Sequence, residues 1–274
     1  MADANGRAEL GVAVAQFSPG TDRSVNLVTM RELAEAAVAR GAGLVVFPEY
    51  SAFFEKRMGA ASLAAAEALD GPFVTALGRL AGDLGVHIVA GFLQGSDDPG
   101  RVQNTVVAVA PTGEVVAGYR KLHLYDAFGA RESDLVRAGV IEEPETFQLA
   151  GFTVGLQTCY DIRFPEVTRR LVDAGVDLVL VPAEWVPGPL KEAHWRTLVT
   201  ARALENTIYL AAADHGAPGG VGASMVVDPM GVELATLGAT TGFALAWVSP
   251  ERLAEVRAVN PVLALRRFGV VPLR

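Results

Sequence analysis

Cysteine is nearly absent from this chain: Cys159 is the one cysteine among 274 residues. No intrachain disulfide can form and no multi-cysteine metal site exists, so we expect a protein of a reducing compartment, the cytoplasm. Concentrated positive charge is also scarce. Lys plus Arg number 23 against 31 acidic residues, for a net charge of −8, and no basic run exceeds the pairs Arg169-Arg170 and Arg266-Arg267. Nucleic acid is therefore not an expected partner, because phosphate binding draws on clustered cations. A membrane is not expected either: MADANGRAEL lacks an apolar core of signal-peptide length, and nowhere do about 18 apolar residues run uninterrupted. Low-complexity linkers are missing too, which predicts a single domain over 1–274, with its core over about 10–250 and a tail over 251–274.

Other chemical signatures are missing. His87, His123, His194 and His215 show no metal-ligand spacing, so they read as hydrogen-bonded structural residues and no metal is expected. Ser224 lies in GASMV, which lacks the G-x-S-x-G elbow of many serine hydrolases. The glycines of HGAPGGVG follow no phosphate-cradle pattern and read as a mobile loop.

What is present is apolar sequence, 51% of residues, arranged in alternating strand-like and helix-like stretches. GVAVAQF reads as a strand, Val25 to Arg40 as a helix with Gly41 near its C-cap, and GLVVF as a second, parallel strand. Ala60 to Leu69 and Phe73 to Leu84 read as helices, HIVAGF as a buried strand, and QNTVVAVAPTGEVVAGY as a hairpin. The pattern restarts with FTVGLQT, FPEVTRRLVDAG and VDLVLVPAEW, and GASMVVDPMGVELA echoes the hairpin. Two such halves, each a mixed sheet with helices on one face, predict an α/β fold in which the sheets pack together.

Cys159 sits where the apolar run of VGLQTCYDIRFPE gives way to a charged, Pro-containing turn. An unpaired cysteine is often small, buried and inert, and a nucleophilic one needs a base and an oxyanion cation. Glu49 closes LVVFPEY and Lys121 opens KLHLYD. Taken singly, Glu49 reads as a helix cap or surface carboxylate and Lys121 as a solvated strand-end lysine. Glu49 and Cys159 both follow predicted parallel strands, beyond whose carboxyl ends ligands gather in α/β sheets.

Glu49 in FPEY, Lys121 in YRKLHLYDAFG and Cys159 in TCYDIRFPE resemble, in order and spacing, the Glu-Lys-Cys triad of the nitrilase superfamily, the carbon-nitrogen hydrolases. The resemblance continues through VPAEWVPGP, HWRTLVTARALENTIYLAAA and GASMVVDPMGVELA, from about Leu10 to Arg267. It implies a four-layer α-β-β-α sandwich of two mixed sheets. Cys159 would be the nucleophile and Glu49 the proton carrier. Lys121 and the Tyr160 amide would hold the oxyanion, with Glu132 of AFGARESDLV as an orienting glutamate and no metal or organic cofactor required. Cys159-Tyr160-Asp161 resembles the branch that cleaves ω-amides of small carboxylic acids, including deaminated glutathione, where true nitrilases carry Cys-Trp-Glu. Ureido or nitrile hydrolysis, or a catalytically idle oligomeric partner, are the alternatives. Arg163, Glu184 and Trp185 are pocket candidates: Arg163 to meet a substrate carboxylate or to brace the nucleophile turn by an ion pair, Glu184 as an acid that opposes anionic substrates unless an arginine neutralises it. The segment EVRAVNPVLALRRFG resembles the family's dimerisation tail, which predicts a homodimer or higher homo-oligomer through Val259, Val262, Leu263 and Leu265.

Overall fold

Asp22 starts the first helix by accepting the backbone N–H groups of Ser24 and Val25, two of the donors that a helix start leaves unpaired. In the computed structural model, which describes residues 9–273, this helix α1 (Arg23–Val38) connects β1 (Leu10–Gln16) to β2 (Leu44–Val46). The rest of the first half is α2 (Ala60–Ala65), α3 (Pro72–Leu84), β3 (His87–Gly95), β4 (Val102–Val109) and β5 (Val115–Arg120). The second half runs β6 (Thr146–Leu149), β7 (Phe152–Leu156), α4 (Pro165–Asp173), β8 (Leu178–Pro182), α5 (Lys191–Asn206), β9 (Tyr209–Ala213), β10 (Met225–Val227) and β11 (Glu233–Thr236). Strand β12 (Gly242–Val248) and α6 (Pro250–Val259) follow.

Two six-stranded sheets result, ordered β12-β1-β2-β3-β4-β5 and β11-β10-β9-β8-β7-β6. Each has three parallel strands at its centre, β1-β2-β3 and β7-β8-β9, and antiparallel strands on either side. The halves therefore repeat strand for strand. The edge strand that β6 supplies to the second sheet is supplied to the first by β12, which pairs with β1 from Leu10↔Val248 to Gln16↔Gly242 and ties the end of the fold to its start.

Alternation along the central strands builds three apolar layers, because successive side chains point to opposite faces. Val12, Val14 and Val46 face Val154, Leu156 and Leu180 between the sheets. Ala13, Val45 and Ile88 meet Met30, Ala34 and Leu77 of α1 and α3, while Val179, Val181 and Leu210 meet Trp195, Val199 and Ala203 of α5. The architecture is the four-layer α-β-β-α sandwich of two mixed sheets.

Two local expectations are corrected. The alanine-rich stretch to Leu69 stops being helical at Ala65, because Glu67 does other work. Its N–H donates to Leu93 O at 3.1 Å and its Oε2 accepts Phe73 N–H at 2.7 Å, which caps α3, whose N-cap Gly71 has no side chain to do so. The glycines of HGAPGGVG serve close approach. A Cβ on Gly222 would lie 2.5 Å from Gly238 O and one on Gly220 2.6 Å from His215 O. The amides of Gly216 and Gly222 are spent on Phe17 O and His215 O.

The same stretch holds the turn that follows β2. His215, buried just beyond β9, places Nε2 2.7 Å from Glu49 O, with the Phe54 ring edge-on at 4.8 Å. Gly91 of β3 makes room for that turn, since a Cβ there would lie 2.7 Å from Glu49 Cα. Burial pushes the His215 pKa down to about 4, so the ring is neutral and its Nε2–H donates to the carbonyl. An unfolded chain protonates histidine near 6.5, so this burial costs stability as pH falls from about 6.5 towards 4. We expect urea unfolding at pH 4.5 to show a loss of about 2 to 3 kcal/mol relative to pH 7 from this ring. His215→Gln, whose amide can donate to the same carbonyl without titrating, should lose correspondingly less; equal losses in both proteins would contradict the assignment.

Candidate active site

Four chain segments end at one place. Glu49 lies just beyond β2, Lys121 directly after β5, Cys159 just beyond β7 and Glu184 just beyond β8. Lys121 is held in register by its N–H to Asn104 O at 2.9 Å. Cys159 opens a 3₁₀ turn, Cys159–Arg163, with φ at +46°. A non-glycine residue in the left-handed region is strained, and such strain concentrates where a side chain must be presented.

The strain is held by Asp161, two residues on. Its fully buried carboxylate accepts the Tyr119 hydroxyl at 2.7 Å and the His123 N–H at 2.9 Å, with His123 Nδ1 at 2.7 Å. Tyr119 and His123 flank Lys121. Asp161 thus locks the cysteine turn to the lysine strand.

Glu49, Lys121 and Glu132 form one buried ion cluster. Lys121 Nζ is 2.9 Å from Glu49 Oε1 and 2.9 Å from Glu132 Oε2. Asn104 Nδ2 donates to Glu49 Oε1 at 2.5 Å and to Glu132 Oε1 at 3.1 Å, and Glu132 also accepts the Tyr50 hydroxyl at 2.6 Å and the Tyr125 N–H at 2.6 Å. The remaining Glu49 oxygen, Oε2, accepts the Glu184 N–H at 2.7 Å. The Glu184 carbonyl in turn accepts the Cys159 thiol at 3.3 Å. One peptide segment therefore touches both the carboxylate and the sulfur.

Burial is the largest influence throughout. It raises the Glu49 pKa, with Lys121 opposing and Glu132 adding to the rise. For Glu132 burial also pushes upward, but Lys121, the Tyr50 hydroxyl and the Tyr125 amide outweigh it and hold that carboxyl low. Lys121 keeps its proton despite burial, because Glu132 and Glu49 flank it. The Cys159 thiol is pushed well up by burial and by Glu49, so it rests protonated and needs a base to react.

These groups line a cavity of about 1040 Å³, whose wall also includes Tyr125, Phe128, Tyr160, Glu184, Trp185 and Lys191. Tyr160 stands edge-on to Tyr125 at 5.1 Å. Trp185 donates its N–H to Asp214 Oδ1 at 2.7 Å and its Nε1–H to Lys191 O at 2.8 Å. Arg163 departs from expectation on both counts. It is not among the residues of the cavity wall and pairs with no carboxylate among the described residues; its guanidinium stacks over the Trp185 ring at 4.8 Å, with Nη2 3.4 Å from His194 Nδ1. Glu184 has no arginine partner among the described residues. Burial, then Glu49 and Asp214, push its carboxyl well above the usual range.

Asn104, Tyr50, Asp161, His215 and Lys191 were not singled out from the sequence as site residues. The polar triplet Gln103-Asn104-Thr105 interrupting an apolar strand was the one legible signal for Asn104. Among the described residues, no group of three or more His, Cys, Asp or Glu is arranged to hold a metal ion, and no helix is long and apolar enough to cross a membrane.

Comparison with known proteins gives consistent relatives. The chain is 39% identical over 260 residues to the deaminated glutathione amidase of Escherichia coli O157:H7, covering 94% of this chain and 97% of that protein. Its fold matches the C. elegans NitFhit protein with a TM-score of 0.87 at 27% identity, over 97% of this chain and 66% of that longer one. An amidase of the nitrilase superfamily from Nesterenkonia AN1 matches with a TM-score of 0.78 at 30% identity, over 93% of this chain and 97% of its own. Another structure of that amidase shows covalent addition of the acetamide moiety of fluoroacetamide at its active-site cysteine. The family model of carbon-nitrogen hydrolases spans residues 11–258, and this chain belongs to that family, hydrolases of carbon–nitrogen bonds within the nitrilase superfamily.

Proposed function

We propose that this hydrolase is a cysteine-dependent amidase that releases an acid and ammonia from a small amide through a thioester on Cys159. The observation that carries the reading is the Glu184 peptide segment, which bonds Glu49 through its N–H and the Cys159 thiol through its carbonyl, with Lys121 on the other oxygen of Glu49. Glu49 takes the thiol proton and the thiolate attacks the amide carbon. Lys121 and the Tyr160 N–H, in the first turn opened by Cys159, stabilise the oxyanion. The C–N bond breaks as Glu49 returns the proton to nitrogen, and ammonia leaves. Glu49 then takes a proton from water, hydroxide attacks the thioester, and collapse expels the thiolate, which recovers that proton. A carboxyl whose pKa burial has raised suits both directions of this transfer. Glu132 positions Lys121. A nucleophilic thiol must stay reduced, which favours the cytoplasm.

The substrate reading is an acidic amide. The Escherichia coli relative named for deaminated glutathione supports it, and the cavity of about 1040 Å³ has room for such a molecule. Glu184 stands less against it than an ordinary acid would, since burial and its acidic neighbours raise its pKa well above the usual range and favour the neutral form, which does not repel an anion.

Cys159→Ala should abolish ammonia release while leaving the circular dichroism spectrum unchanged; turnover in this variant would overturn the nucleophile assignment. Lys121→Ala should lower kcat/KM by roughly 10²- to 10³-fold, the scale of one oxyanion donor, and a loss below tenfold would contradict its role. For an anionic amide, kcat/KM should fall relative to a neutral one as pH rises and Glu184 loses its proton, and Glu184→Gln should remove that divergence. Parallel pH profiles in the wild type would show that Glu184 does not face the substrate.

The tail supports a homodimer. Val259 and Leu265 are exposed at 81% and 70%, whereas Leu263 packs against the core of the second sheet and is already used within the chain. Light scattering at micromolar concentration should give twice the monomer mass, and a monomer mass would remove the proposal.

A further inference from the structure

The chain contains three lysines, Lys56, Lys121 and Lys191, and all three line the same cavity. Every other fixed cation in the sequence is arginine. Lys121 belongs to the ion cluster and Lys56 is exposed at the cavity wall. Lys191 is different: it is buried, and no carboxylate among the described residues pairs with it. Its ammonium donates to the Tyr125 hydroxyl at 2.8 Å and lies over aromatic faces, 3.9 Å from the Phe128 centroid and 5.0 Å from that of Tyr125.

A second cation shares this aromatic layer. The Arg163 guanidinium is 5.8 Å from the Phe128 ring and 4.8 Å from the Trp185 ring, over which Lys191 also sits at 5.7 Å. Arg163 Nε is buried without a hydrogen-bond partner. Two cations therefore sit close together, Lys191 buried and Arg163 half-buried, with ring faces and neutral dipoles as their direct partners. Aromatic faces recover part of the cost of desolvating a cation, but a buried charge ordinarily demands a counter-charge. Burial and Arg163 pull the Lys191 pKa down, and the more distant Cys159 and Glu184 do not make up the difference, as expected of a cation without a paired anion. Among the described residues no carboxylate lies within ion-pair distance of Lys191: Glu184 acts on it only from farther along the wall, and the adjacent Glu192 pairs outward with Arg196 at 3.1 Å.

We infer that Lys191 and Tyr125 form a seat for a carboxylate carried by the substrate, remote from the amide that Cys159 attacks. Lys191 has three N–H donors and spends one on the Tyr125 oxygen, which leaves the tyrosine proton itself free to donate. Both residues lie on the cavity wall with Cys159. Arg163, behind the aromatic layer, adds positive potential without touching the ligand. The seat deepens the acidic-amide reading and rests on it, and it supplies the anion recognition expected of Arg163.

Binding and turnover test the seat separately. Glutarate should protect Cys159 from iodoacetamide in the wild type, measured against each variant's own unprotected rate. Lys191→Met should raise the glutarate concentration for half-protection about 10- to 100-fold, Tyr125→Phe less, and Lys191→Arg should restore most of it. In turnover, the ratio of kcat/KM for glutaramate to that for its uncharged isostere 5-methylhexanamide should fall by a similar factor in Lys191→Met. If Lys191→Met weakens both amides equally, or glutarate protects that variant as well as the wild type or protects neither, the seat is wrong and Lys191 only braces Tyr125 and Trp185. If glutarate protection depends on Lys191 but neither amide is cleaved by the wild type, the seat stands and the amidase reading falls.

Discussion

A lysine buried between two glutamates sets the terms for the rest of the molecule. Lys121, Glu49 and Glu132 meet where water is excluded, and removing three charged groups from water is repaid only if nearly every lone pair and proton finds a partner. The neighbours are arranged accordingly. Asn104 bridges the two carboxylates, Tyr50 and the Tyr125 amide complete Glu132, and the Glu184 amide completes Glu49. These partners come from β4, from the turns after β2 and β8, and from the loop after β5. The two sheets must therefore pack in one register for the cluster to exist. The repeat of the fold supplies that register, since β2 and β8 occupy corresponding positions and deliver Glu49 and Glu184 to facing strand ends.

The cluster joins one basic and two acidic groups, and in the proposed mechanism the acidic excess is what prepares it for proton transfer. Burial raises the proton affinity of Glu49, and Lys121, shared with Glu132, does not cancel the rise, which is what the proposed proton transfer from sulfur calls for. The wall beyond is laid out in the opposite sense, with Lys191 in the cavity and Arg163 behind its aromatic lining. An amide bearing a carboxylate would meet acid and base chemistry at one end and uncompensated positive charge at the other. Glu184 also lines this wall, and burial, with Glu49 and Asp214 nearby, raises its affinity for a proton.

Much of this was legible in the sequence because periodicity and motif spacing are local. The two β-α-β units, the hairpins at Pro111-Thr112-Gly113 and at Asp228 to Val232, and the positions of Glu49, Lys121 and Cys159 are each carried by a few consecutive residues. What escaped depends on contacts distant along the chain. Glu67 ends a helix that propensity favours because it caps α3, and the glycines of HGAPGGVG read as flexible although they sit where backbone crosses backbone. The start of α5 gives no signal, since its N-cap is Leu190 at φ +60° with no side-chain cap, and so Lys191 could not be placed. Arg163 was read as a charge seeking a carboxylate. The structure gives it a tryptophan face, a partner that no spacing rule announces.

The central claim is that the acyl group passes through the sulfur of Cys159 under the control of Glu49. Acid-quenching the wild type during steady turnover of a slow amide, followed by peptide mass mapping, tests it most directly. The account predicts a mass increase equal to the amide minus ammonia on the peptide containing Cys159, accumulating in Glu49→Gln if acylation survives there and absent in Cys159→Ala. An adduct on any other residue, or steady turnover by a protein without Cys159, would contradict it.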